Sequence, residues 1–310
     1  MDRKKLFVFI IVIVTVLALG IIARDVLIMP GTQRAHERDR GGIVGLVYVE
    51  GAIVGGRSQG GIMAAAPGMD SVLKQLREAR IDPNIEAVVL RVNSPGGSAA
   101  ASQEIHNEIG KLREAGKKVV VSMSDVAASG GYYISVAADK IMANPGTTTG
   151  SIGVIMQVTN LEELFEKIGV DIETITSGEH KDLANPTRTM TEEERELLQS
   201  MTNDIYEQFV EAVSRGRGMS QEEVLEIADG RILTGRQAQE LGLVDELGDL
   251  YDAVDLAAEL AQIEDPTIVD LGKVSPWNMI FGGMANESLT FPNLLENINL
   301  YRLIRGVEIK

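Results

Sequence analysis

The chain has 310 residues, with 45% hydrophobic and 24% charged side chains, which excludes a disordered or collagenous protein. Its 29 Lys and Arg stand against 45 Asp and Glu, a formal charge of −16 that repels phosphates and argues against nucleic acid as a partner. There is no cysteine and there are only three histidines, so disulfides, thiolate nucleophiles and Cys-based metal or iron–sulfur sites are excluded, and no metal or cofactor is expected.

Taken in chain order, residues 1–5 contain Arg3, Lys4 and Lys5 and are expected to be cytosolic. They precede an uncharged apolar run from Leu6 to Ala23. At about 1.5 Å per residue that run is roughly 27 Å long, enough to cross a bilayer's hydrocarbon core. A cleaved signal peptide is the alternative, since Ala18-Leu19-Gly20 loosely imitates a cleavage site. The basic flank places the N-terminus in the cytosol and everything after the span outside it, in a single-pass arrangement. Residues 24–42 read as a polar linker, residues 43–272 as the folded domain and residues 273–310 as a tail punctuated by Gly, Pro and Asn.

Within the domain, Ile43–Val54 predicts a strand followed by a turn or second strand, Ser71–Arg80 an amphipathic helix, and Ile85–Val92 a buried strand. Gln103–Glu114 predicts a helix and Lys117–Met123 a strand; Ile141–Ala143 and Ser151–Val158 suggest two more strands. Strands alternating with helices imply an α/β fold with a largely parallel sheet covered on both faces. Thr191 and Glu194 match a capping box opening one long helix to about Arg217, and Ser220 with Glu223 repeats the pattern. Residues 229–248 predict a strand, a helix from Thr234 and a Gly-terminated exit.

Two strand-to-helix crossings could carry chemistry. Asn93-Ser-Pro-Gly-Gly-Ser98 places a Gly pair where backbone N–H groups can face a developing oxyanion, or it is simply a turn. Ala127-Ala-Ser-Gly-Gly-Tyr-Tyr133 puts Ser129 between small residues at a helix start, where it reads either as a nucleophile or as an ordinary N-cap. A nucleophilic serine needs a base. His36 belongs to the linker and His106 to an amphipathic helix, whereas His180 has a loop setting. Among the lysines, the others fall on helix faces, turns, the cytosolic end or the tail, which leaves Lys181 in Ser177–Pro186. A lysine base must be largely neutral, which requires burial, and a solvated loop lysine is the other reading. In Thr147–Gly153, Ser151 either orients a neutral lysine or starts a strand; the absence of a GK[ST] ending argues against nucleotide binding.

Together, NSPGG (93–97), ASGGYY (128–133), TTTGSIGV (147–154), SGEHKD (177–182) and the run 229–248 resemble, in order and spacing, the signal peptide peptidase A family, also called protease IV. The resemblance covers roughly residues 43–272 and implies a ClpP/crotonase-like fold. It also implies a serine endopeptidase with a Ser/Lys dyad: Ser129 as nucleophile, Lys181 as general base, Gly96 as oxyanion donor and Ser151 as the hydroxyl orienting the lysine. It further implies a membrane-anchored enzyme that degrades signal-peptide remnants and other apolar peptides in contact with the lipid bilayer. Because the family's dyad spans two units and this chain holds one, a homo-oligomeric ring is implied. A crotonase-like acyl-CoA enzyme and a non-catalytic membrane scaffold are the rival readings.

Overall fold

The computed structural model describes residues 42–56 and 69–273. The expected anchor (6–23), nearly all of the linker and the tail from residue 274 lie outside the described residues. Among the described residues no helix is long and apolar enough to cross a membrane.

The sheet begins with β1 (Ile43–Glu50), and α1 (Met69–Ile81) then leads to β2 (Ile85–Ser94). Next come α2 (Ala99–Glu114), β3 (Lys118–Ala128), α3 (Gly130–Ser135), β4 (Lys140–Ala143) and β5 (Thr148–Gly150). After α4 (Glu162–Ile168), α5 (Glu192–Arg217) and α6 (Gln221–Leu225), the chain adds β6 (Ile232–Thr234), α7 (Gly235–Glu240), β7 (Glu246–Leu247), α8 (Leu250–Ala261) and β8 (Thr267–Asp270). The main path runs β6-β5-β3-β2-β1-β8, and β4 pairs with both β3 and β7. All of these pairings are parallel except β5 with β6.

Strand β3 serves two neighbours in turn. Its first half, Val120–Met123, pairs with β4, and Val126–Ala128 pairs with β5. The change of partner coincides with a register shift against β2 between Val92 and Ser94, where Asn93 Oδ1 accepts from the Val126 N–H at 3.2 Å. The upper half of β3 is thereby turned away from the lower sheet, and Ser129 follows directly on it.

Burial explains the layers. Val47, Val49, Leu90, Val119 and Val121 face one core, filled by Leu76 of α1, by Ile105, Ile109 and Leu112 of α2, and by Phe209 and Val213 of α5. Val44, Leu46, Val89 and Val120 face the other, against Ala253, Val254 and Ala257 of α8. Each fully buried Leu or Ile contributes about 1.5–3 kcal/mol relative to exposure. The capping boxes at Thr191/Glu194 and Ser220/Glu223 form as the sequence predicts, and α5 ends on Gly218 in the left-handed conformation (φ 65).

One expected element is absent. Residues 151–158, read as a strand, form none: only Ser151 and Ile152 bond another backbone, at Arg231 and Gly230, and Ile155 is 91% exposed. Apolar composition alone does not make a strand where no partner backbone lies alongside.

Candidate active site

The site is built where the NSPGG turn meets the β3–α3 junction. Gly96 (φ 96) comes so close to that junction that a Cβ on it would lie 2.6 Å from the Gly130 N and 2.9 Å from Ser129 Cβ. A Cβ on Gly97 would fall 2.1 Å from the carbonyl oxygen of Ile53. The glycine pair is therefore required by close approach of backbones, and a turn reading alone understates it.

Ser129 has φ 51 and ψ −119, a conformation that costs a non-glycine residue on the order of 1–3 kcal/mol. It is held there by its own backbone. Its N–H donates to the Gly150 carbonyl at 2.9 Å, and its carbonyl accepts from the Tyr133 N–H at 2.8 Å. Although Ser129 occupies the N-cap of α3, its side chain makes no capping bond. The N-cap reading therefore fails, and the hydroxyl is left to the cleft. Ser151, the next residue after β5, repeats the positive φ of 51, with its N–H donating to the Arg231 carbonyl at 2.8 Å.

Both serines line a cleft of about 710 Å³ whose other walls include Gly97, Tyr133, Tyr206 and Phe209. Tyr133 stands at the centre of an aromatic row, 5.0 Å from the His106 ring and 5.2 Å from Phe209 between centroids. Burial lowers the His106 pKa and raises that of Tyr133, so both rings are neutral near neutral pH. The α5 wall brings Gln199, Thr202, Asn203, Tyr206 and Phe209 to the cleft at helical spacing. This stripe is legible in the sequence as a helix face but carries no motif of its own.

The expected oxyanion donor, Gly96, and its neighbours differ in how their N–H groups are engaged. The N–H of Gly96 already donates to Ser94 Oγ at 3.1 Å, inside the turn. The N–H groups of Gly97 and Gly130 have no acceptor among the described residues, and a Cβ on Gly130 would lie 3.2 Å from the Gly97 N. The second glycine of the pair and the residue after the serine are the free donors beside Ser129.

The two candidate bases lie elsewhere in this chain. Neither His180 nor Lys181 lines the cleft, and both are exposed. His180 Nε2 stands 3.7 Å from Glu193 Oε1. The Lys181 N–H donates to the Gly178 carbonyl at 3.1 Å within a run of turns, and Ala184 of the same loop has φ 63.

A strained serine with a free hydroxyl, in a largely apolar cleft at the end of a parallel-sheet strand, has the geometry that nucleophilic attack by a serine requires. Residues 111–264 match the model of Peptidase family S49. A Synechocystis sp. relative named as a protease is 41% identical over 240 residues, 77% of this chain and 86% of its own. An Enterococcus faecium relative named as signal peptide peptidase SppA is 42% identical over 198 residues, 64% of this chain and 58% of its own. The chain belongs to peptidase family S49, the signal peptide peptidase A family. Among solved structures, a ClpP1 mutant from Listeria monocytogenes is 19% identical with a TM-score of 0.45, covering 67% of this chain and 94% of that one.

Proposed function

We propose that this chain is a membrane-anchored serine endopeptidase with a Ser129/Lys181 dyad that degrades cleaved signal peptides and similar apolar peptides. Membership of the family makes it a serine-type peptidase. The observation that carries the proposal is Ser129 itself: strained, uncapped and open to the cleft, beside two N–H groups without acceptors. The Ser129 hydroxyl attacks the scissile carbonyl as its proton passes to a neutral Lys181 Nζ. The N–H groups of Gly97 and Gly130 receive the oxyanion, in the role first given to Gly96. The protonated lysine returns its proton to the leaving amine, and water then hydrolyses the acyl-enzyme with Lys181 again as base. Ser151, on the cleft wall, is the hydroxyl that orients the lysine.

Val154, Ile155, Met156 and Phe209 give the cleft an apolar character suited to a signal-peptide core. Beyond Ile152, residues 153–160 have no backbone partner among the described residues and offer a template on which an extended peptide adds as a strand.

The exposure of Lys181 supports a dyad completed between subunits of a homo-oligomeric ring. So do the exposed apolar side chains of the segment that leads into its loop, Val170, Ile172 and Ile175, at 43%, 46% and 91%. The tests are covalent labelling and complementation. A fluorophosphonate should label Ser129 and leave Ser129→Ala unlabelled. Mixing inactive Ser129→Ala and Lys181→Ala chains should restore activity where one intact serine meets one intact lysine. No recovery in verified mixed oligomers would place the dyad within one chain.

A further inference from the structure

We propose that Arg188 is a positioning residue for Lys181, fixing the lysine's loop to the helix that walls the substrate cleft. The inference rests on the reading of Lys181 as the general base.

The Arg188 guanidinium forks in two directions. On one side its Nε and Nη2 donate to the two carboxylate oxygens of Asp182, at 2.9 and 3.0 Å. On the other, Nη1 donates to Glu194 Oε2 at 2.8 Å and Nη2 reaches Glu194 Oε1. Glu194 is itself locked into the start of α5, because its Oε2 accepts from the Thr191 N–H at 2.9 Å as half of the capping box. Asp182 also accepts from Asn185 Nδ2 at 3.3 Å. The links run without a gap from the first turn of α5 through Glu194, Arg188 and Asp182 to the residue next to Lys181.

Arg188 is the group that ties Asp182, beside Lys181, to α5. The loop's other links are the Leu161 N–H on the Pro186 carbonyl at 2.7 Å, Asn185 Nδ2 on Thr174 Oγ1 at 3.3 Å, Thr189 with Glu162 and Asn160, and His180 at 3.7 Å from Glu193. The loop 177–190 contains only turns and unstructured residues, so its backbone is not held by a sheet or helix ladder. The clamp side chains are partly or wholly sheltered, at 33% exposure for Arg188, 18% for Asp182 and 5% for Glu194, while Lys181 stands exposed. Asp182 turned inward and Lys181 turned outward is the arrangement that presents an amine to a serine arriving from outside. Farther along, α5 supplies Gln199, Thr202 and Tyr206 to the cleft, so the base loop and the cleft wall share one rigid element.

The clamp does not titrate in the working range of a peptidase. Hydrogen bonds from Arg188, with help from Asn185 and from the Thr191 backbone respectively, hold the Asp182 and Glu194 carboxyls at about 2. The neighbouring charged groups are His180 beside Glu193, Glu179, and Arg195 beside Glu192. With His180 replaced by Gln, a change in the neutral-to-alkaline activity profile reports on Lys181.

The experiment uses the full-length chain in a His180→Gln background and compares Arg188→Met with Arg188→Lys. Sites are counted after fluorophosphonate labelling to completion, and melting is followed in parallel. Arg188→Met should lower kcat per counted site by about 10- to 100-fold with KM within about twofold, the size expected for a misplaced catalytic group. It should also move the midpoint of the pH profile, and Arg188→Lys should restore part of both. A fall in melting temperature with kcat per site and the midpoint unchanged overturns the proposal. If Arg188→Met does not fold, Asp182→Asn, which leaves Arg188 tied to Glu194, takes its place with the same expected and overturning results. A Lys181→Ala arm separates the two levels. Activity surviving there removes the base assignment itself, whereas an inactive Lys181→Ala beside a wild-type Arg188→Met removes only the clamp.

Discussion

The two halves of the proposed dyad are held by different kinds of structure. The Ser129 junction is backbone fitted against backbone, with Gly96, Gly97 and Gly130 in places where a Cβ would meet another chain segment. The Lys181 loop has no such fit and depends on side-chain charge, through Asp182, Arg188 and Glu194. Backbone fit is insensitive to solvent conditions and intolerant of substitution. A charge clamp tolerates small changes in shape but answers to proton concentration and to the loss of one partner. The contrast suits the proposed dyad, in which a strained Ser129 is fixed in place and Lys181 is offered to a second copy.

The largest expected effect tests whether the two halves act as one unit. Ser129→Ala and Lys181→Ala should each lower kcat by at least about 10³-fold, and the double variant should be little worse than either. Additive losses would show that they act in separate steps.

A smaller but still severe effect should follow Gly97→Ala. Its Cβ would collide with the Ile53 carbonyl oxygen at 2.1 Å, so the NSPGG turn must move. A destabilisation of about 1–3 kcal/mol in denaturant melts, with slower fluorophosphonate labelling, is expected. Wild-type labelling would mean that the backbone fit is not what prepares the serine.

Acid should separate the two regions. Because the Asp182 and Glu194 carboxyls are lowered to about 2, their ionised forms stabilise the loop fully above the ordinary carboxylate range. That contribution is lost as pH falls from about 4 toward their lowered values. Hydrogen exchange at pH 2.5 should therefore show protection lost around residues 177–190 before it is lost in β3 and α3. Simultaneous loss in both would erase the distinction.

The mildest variant probes the serine side away from its reacting atoms. Tyr132 is fully buried, and its hydroxyl donates to the Leu243 carbonyl at 2.9 Å. Tyr132→Phe should cost about 1–2 kcal/mol by leaving that carbonyl unpaired, with kcat unchanged. A large fall in kcat would show that the rigidity of α3 reaches the nucleophile.

What the sequence discloses follows the same division. Strands β1 to β3 and helix α5 are legible because long apolar runs and capping boxes are local signals. The tight junction at Ser129 is legible because small residues must surround it. Helix α8 and strand β8 went unassigned, since β8 is short and half-exposed and finds its place only by pairing with β1, more than 200 residues earlier. Residues 151–158 misled because Ile152 is buried in the core while Ile155 and Met156 stand exposed, so the apolar run does not belong to one sheet face. The resemblance implies Gly96 as oxyanion donor, and nothing in the sequence shows that its N–H is engaged by the Ser94 hydroxyl. The Arg188 clamp was invisible because Asp182 and Glu194 lie six residues to either side of it, a separation that matches neither helical nor strand periodicity.

The positive φ of Ser129 also limits which nucleophiles the fold can exchange. Threonine offers the same hydroxyl, but a β-branched residue is a steric outlier at φ 51, so its methyl group would force the junction out of shape. Cysteine, unbranched and close to serine in size, keeps the backbone. Substitution at this position should thus be permissive for the attacking element and restrictive for carbon branching: Ser129→Cys would retain a folded site open to thiol-directed reagents, while Ser129→Thr would lose it. With Ser129 as the proposed nucleophile, one backbone torsion would then keep a threonine from taking its place.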